Sequence, residues 1–248
     1  SNGDPLTAYD AWYSTLRAML FVGGNAQGTS DWILAQYLVS GVTAGYPIMA
    51  NATDTADYNA IIKALAYSNS SNTLTFRLIR PVLPQLFLMA IVDYPRILDS
   101  KWLQEVSAGI TFTPAGFYAY QNQGNAGSYN LKVQNDPVAS GPYMIQNYVL
   151  GQSITLVANP GFPGVPSIPA IHNSVVIQWV NDLQTIYNLF RSGQVDITPT
   201  PPPQTDVHFP LLMQQVAAGR ATLYSFPSIA PFFFCFSAYI NETAMTAD

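Results

Sequence analysis

Charge is what this sequence has least of. Only 9% of its 248 residues are Asp, Glu, Lys or Arg, against roughly 25% in an average soluble protein. Apolar residues stand at an ordinary 49%, so uncharged polar side chains must cover the surface. The nine basic residues are scattered singly, which argues against a nucleic-acid partner, because neutralising phosphates takes clustered Lys and Arg. A single cysteine, Cys235, lies in the apolar run 231–236 and reads as a small buried hydrophobe, with no disulfide framework to join.

Imidazoles are almost as rare. His172 and His208 have no cysteine nearby, and Asp206 is the only carboxylate within a few residues of either. Zinc-ligand spacing is therefore absent, and neither metal nor cofactor is expected. No stretch approaches the ~18 uninterrupted apolar residues of a membrane span; residues 82–92 come nearest and are broken by Pro84 and Gln85. No leader is visible, and Ser1-Asn2 does not read as a native start, so the natural protein is expected to extend further.

Catalytic signatures are missing too. There is no G-x-S-x-G elbow. The glycine spacing of residues 23–30 suits a phosphate loop but lacks its lysine and a preceding strand, so it reads as an interhelical loop. The sparse acids sit mostly at helix starts, where Asp10, Asp54, Asp57 and Asp182 suit capping. The chain is accordingly expected not to be an enzyme. Two other readings stay open on these residues: a secreted hydrolase with a hidden carboxylate pair, and an adhesive surface domain.

What is present is a change of pattern along the chain. Thr7 and Asp10 form a capping box ahead of Trp12, Leu16, Met19 and Leu20 at helical spacing, which predicts a helix through Phe21. Ser30 can cap a second helix to about Val39, and Asp54 with Asp57 a third reaching Tyr67. Residues 73–79 alternate with period two and predict a strand with Leu74, Phe76 and Leu78 on one face. A buried helix entered at Pro84 follows, then a short helix near 100–105 and a Gly- and Asn-rich loop over 116–129.

From Pro142 strands dominate. Residues 143–149 and 153–158, separated by Leu150-Gly151-Gln152, predict a hairpin, and 175–180 a further strand. Asp182 then caps a helix ended by Gly193, before a short apolar strand at 195–197. Residues 198–203 are proline-rich and read as an ordered crossover loop rather than a recognition motif.

Aromatic residues make up 13% of the chain, with Phe232, Phe233, Phe234 and Phe236 in one segment. Core packing accounts for most such rings, and a cleft for an apolar or amphipathic ligand wants them as well. Three Asn-x-Ser/Thr triplets, at Asn51, Asn69 and Asn241, can accept glycans if the chain is exported.

Four segments in order resemble a known family. They are Asp4-Pro5-Leu6-Thr7-Ala8-Tyr9-Asp10, Leu74-Thr75-Phe76-Arg77-Leu78 with Pro81, the pair Gly141-Pro142-Tyr143 and Asn159-Pro160 flanking the hairpin, and Arg191-Ser192-Gly193-Gln194-Val195-Asp196. Together they are similar to the family 5 extracellular solute-binding proteins of ABC importers, the oligopeptide and dipeptide receptors. Ala139 and Gln194 stand where that family usually has Gly and Glu, and Gly161-Phe162-Pro163 where an aromatic is common.

The resemblance implies an α+β chain with part of a type II periplasmic-binding-protein fold. Residues 1–136 would form a helical small domain with one or more strands, and 137–248 part of a sheet-based lobe lining the cleft. It implies capture of an oligopeptide, or alternatively an oligosaccharide, by lobe closure, and delivery to ABC permease subunits. The family carries no catalytic group. By position Trp32, Phe232, Phe233 and Phe234 are the ligand-facing candidates. A monomer is implied, extracellular or periplasmic, and membrane-anchored as a whole protein.

Overall fold

The structure is a computed structural model that describes residues 3–20, 32–42, 48–93, 96–122, 133, 137–138, 140–162, 172–199 and 207–225. The chain divides into two compact units, Ser1–Trp179 and Val180–Asp248. This division by compactness falls later than the functional boundary expected at 136/137.

The first unit is built on α1 (Ala8–Leu20). Its capping box forms as the sequence predicts. Thr7 Oγ1 accepts the Asp10 amide at 3.4 Å, while Asp10 Oδ2 accepts the Thr7 amide at 2.8 Å. The spacing of Trp12, Leu16, Met19 and Leu20 puts all four on the buried face. They meet Leu34, Ala35 and Leu38 of α2 (Trp32–Leu38) and Ile61 and Ala64 of α3 (Thr55–Ala64) in one hydrophobic core. Ser30, the expected cap of α2, and the 23–30 loop lie outside the described residues.

Helix α3 ends at Ala64, three residues before the expected stop. Asp54 caps it, accepting from the amides of Ala56 and Asp57. Leu65–Ser68 is instead strand β1, paired antiparallel with β2 (Thr73–Phe76) in the register Leu65 to Phe76 and Ser68 to Thr73. The turn between them has Asn72 at a φ of 50°, a left-handed position Asn tolerates. β2 also stops short of the expected strand: Leu74 and Phe76 pack on the core, but Leu78 is exposed.

Helix α4 (Pro84–Asp93) starts at its proline as expected, but only the side with Phe87, Ala90 and Ile91 packs on the core. Ala90 alone is sealed, while Leu88 is 58% and Val92 68% exposed. α5 (Ser100–Glu105) is capped by Asp99, whose carboxylate accepts from the amides of Lys101 and Trp102.

The expected loop after 116 begins instead as a helix, α6 (Pro114–Gln121). Thr113 caps it through Gly116 N–H at 3.0 Å, and Pro114 supplies a preset φ at the first turn. Gly116 is there for space, not for flexibility. A Cβ at this position would lie 2.2 Å from the Thr111 carbonyl oxygen. Gly116→Ala is therefore expected to destabilise the unit by about 1–3 kcal/mol despite alanine's better helix propensity. Urea unfolding of the two forms checks this, and equal or greater stability of the alanine variant contradicts it.

Three strands follow in an antiparallel meander, β3 (Tyr143–Val149), β4 (Ser153–Ala158) and β5 (Ser174–Gln178). The β3–β4 hairpin turns where the sequence says, with Gly151 at a φ of 71°. A register shift between Ile145 and Asn147 marks a bulge in β3.

The second unit contains α7 (Leu183–Arg191) and α8 (His208–Ala217). Asp182 caps α7, and Gly193 at a φ of 72° ends it. Gln194 N–H reaches the Leu189 carbonyl and Gly193 N–H the Phe190 carbonyl, the paired bonds of a Schellman stop. The strand expected at 195–197 does not form, and Ile197 is 89% exposed. An apolar pair needs a neighbouring strand to bond to, and among the described residues none is offered.

Candidate functional site

The acids at the helix starts are committed to holding the fold. Asp10, 8% exposed, accepts four hydrogen bonds: from the amide and hydroxyl of Thr7 at 2.8 and 2.7 Å, and of Ser100 at 3.0 and 2.6 Å. Burial works to raise its pKa, but the bonds from Ser100 and Thr7 outweigh it and hold the carboxyl below the usual range. Asp10 thus ties the start of α1 to the start of α5, some ninety residues on. Asp54, Asp99 and Asp182 are each the N-cap of a helix. Asp54 is held below its ordinary value, chiefly by the Asp57 amide, whereas burial pushes Asp57 up. These two acids share one helix start and serve it.

Neutral polar groups follow the same logic. Tyr13 Oη accepts the amide of Ile110 and the side-chain amide of Gln104, while burial raises its pKa and keeps it protonated. Gln121, fully buried, bonds both the N–H and the carbonyl of Met49.

His208 bonds Gln184 and lies 5.9 Å from the ring of Tyr187, and the His172 backbone N–H donates to the Tyr143 hydroxyl. Among the described residues no three His, Cys, Asp or Glu side chains gather where they can hold a metal ion. A crevice between α7 and α8, lined by Ile186, Tyr187, Pro199, His208 and Leu212 among others, has a volume of about 10 Å³. That suits a single water, while a small-molecule pocket occupies roughly 300–1,000 Å³.

The surface that does stand out is apolar and open. On β5 and just after it, Val176 is 58%, Ile177 45% and Trp179 49% exposed. Trp179 is held there: its N–H donates to the Gln152 carbonyl at 2.9 Å, and its ring meets Tyr148 edge-on at 6.2 Å. Ile177 and Trp179 lie on one face of the strand line and Val176 on the other, so apolar side chains are open on both faces of β5.

A family model matches this chain over residues 1–236: the bacterial extracellular solute-binding proteins, family 5 Middle. The chain belongs to that family. Solved structures agree in fold. The substrate-binding domain of an oligopeptide ABC transporter from Bacillus anthracis matches with a TM-score of 0.51 at 17% identity, covering 84% of this chain and 33% of that one. OppA of Burkholderia pseudomallei matches at 0.52 and 17%, covering 86% and 34%. OppA of Haemophilus influenzae, in complex with RPPGFSPFR, matches at 0.50 and 16%, covering 87% and 34%. The chain thus spans about a third of the length of the structures it matches. A comparison with curated proteins finds no match. The fold is the mixed helix-and-sheet, periplasmic-binding-protein-like one, present in part.

For a family 5 chain, the signature flanking the hairpin has a structural reason. Asn159, nearly buried, donates from Nδ2 to the Gly141 carbonyl and from its amide to the Pro142 carbonyl, both at 2.8 Å. Its Oδ1 accepts the Gly161 amide at 3.0 Å. The Gly-Pro-Tyr and Asn-Pro segments are thereby clamped together at the open end of β3 and β4. Of the expected ligand-facing residues, Trp32 is the first residue of α2, with its side chain outside the described residues. Phe232, Phe233 and Phe234 lie outside them entirely, as does Cys235. Trp179 is the candidate that sequence reasoning missed, and its only signal was an aromatic closing a β-branched strand.

Proposed function

We propose that this chain is part of an extracellular receptor that captures oligopeptides between two closing lobes and delivers them to an ABC permease. The observation carrying this is the family match over 1–236; the fold it shares with oligopeptide-binding proteins adds support. In this reading residues 137–248 serve one wall of the cleft and 1–136 a flanking module. Trp32, Phe232, Phe233 and Phe234 contact ligand, and Trp179 joins them. No bond of the ligand is made or broken. A ligand touching both lobes has higher affinity for the closed form, and that difference alone drives closure. The whole protein is a monomer anchored at the outer face of the membrane.

The open apolar strand β5 and helix α4 support the reading, because a lobe built to meet another part of the protein leaves such faces bare. The test is a thermal-shift screen of the whole protein against oligopeptides and oligosaccharides. Stabilisation by peptides that grows with concentration is the expected result. Stabilisation by sugars alone would move the receptor to the oligosaccharide branch of the family. No response to either class sinks the proposal.

A further inference from the structure

We propose that Asn51 is a glycan acceptor, modified at its side-chain amide by a sugar chain delivered from a polyprenyl-phosphate lipid. Asn51-Ala52-Thr53 has the acceptor pattern and lies on a turn with both Asn51 and Thr53 exposed. The turn is fixed at both ends. Before it, Met49 is held by Gln121 through its N–H at 3.0 Å and its carbonyl at 2.6 Å. After it, Asp54 caps α3. Within it, Asn51 Oδ1 accepts the Thr53 amide at 2.9 Å and the Thr53 hydroxyl at 2.8 Å. The hydroxyl that the pattern requires therefore sits on the carboxamide it serves, and Nδ2 is the atom of that group outside the turn.

The second triplet, Asn69-Ser70-Ser71, is arranged differently although it too is exposed. Asn69 Oδ1 accepts the Tyr9 amide at 3.0 Å, tying the β1–β2 turn to α1. The Ser71 hydroxyl pairs with Thr73 at 2.9 Å and not with Asn69. A sugar on Asn69 crowds the start of α1, to which its carboxamide is bonded, whereas the Asn51 carboxamide oxygen is bonded within its own exposed turn. Asn51 is modified and Asn69 is not; Asn241 lies outside the described residues.

In the reaction Nδ2 forms a bond to the anomeric carbon of the lipid-linked oligosaccharide. The bond from that carbon to the phosphate oxygen breaks, the lipid phosphate leaves with the electron pair, and the amide proton passes to a base of the transferase. The product adds hydrated bulk to a surface with very few charges.

This proposal rests on the extracellular placement above, and the experiment separates the two. The protein is purified from the cells that make it, after surface labelling of intact cells, and its tryptic peptides are fragmented by mass spectrometry. Residues 18–63 carry Asn51 and residues 64–77 carry Asn69, so the sites fall on different peptides. The expected result is surface-labelled protein with a sugar chain on Asn51 and bare Asn69. The sugar is lost in Asn51→Gln and in Thr53→Ala, and retained in Thr53→Ser. Labelled protein with bare Asn51 overturns this inference and leaves the receptor reading intact. Protein that escapes the label overturns both.

Discussion

Asp10→Ala is expected to lower the stability of the first unit by about 3–5 kcal/mol, because it strands up to four donors that share one carboxylate. Thr7 and Ser100 each lose an amide and a hydroxyl bond. The Ser100 donors are buried, where an unmet donor costs about 1–3 kcal/mol. Asp10→Asn keeps one acceptor oxygen and turns an amide toward the other pair of donors, so it recovers only part of the loss. The same carboxylate sets an acid limit. Its folded pKa lies below its unfolded value of about 3.9, so the stability it contributes is fully present above that value. That contribution is lost as the pH falls from about 4 through the folded pKa. Urea midpoints across that range should fall steeply for the native chain and less for Asp10→Ala. Parallel curves would show that Asp10 is not the acid-sensitive tie.

Phe117→Ala is expected to cost about 3–5 kcal/mol. Phe117 is fully buried on α6 and lies edge-on to Tyr58 at 4.8 Å and to Phe112 at 5.8 Å. Phe112 in turn stacks on Trp12 of α1 at 5.4 Å. Removing the ring leaves a void between α1, α3 and α6 that rigid aromatic neighbours fill poorly. Phe117→Leu should cost markedly less, since it retains most of the volume. Equal losses for the two variants, in thermal or urea unfolding, would mean that something other than packing is being measured.

These two sites also show what the sequence could and could not reveal. Asp10 announces itself as half of a capping box, because that bond is local. Its tie to Ser100 crosses ninety positions and leaves no mark on spacing. The β3–β4 hairpin is legible for the same reason as α1: its glycine turn and period-two strands are short-range signals. Leu65–Ser68 looks like the tail of α3 until β2 is there to bond it, and the pairing decides against the helix. Gly116 disguises α6 as a loop, since the need for space beside Thr111 depends on the path of the backbone into the helix and not on residue type. Helix α4 reads as buried all round from its composition alone, and composition cannot say that only the side with Phe87, Ala90 and Ile91 packs on the core while Leu88 and Val92 are bare. Trp179 is hidden likewise, because exposure is not written in residue type.

The claim that this chain supplies one wall of a hinged trap is tested most directly by calorimetry with oligopeptides, run on the whole protein and on these 248 residues alone. A single wall cannot remove a peptide from water on both sides. Measurable heat and saturation are expected for the whole protein and none for the isolated chain. Equally tight binding by the isolated chain would contradict the claim, because the site would then be complete without a second lobe.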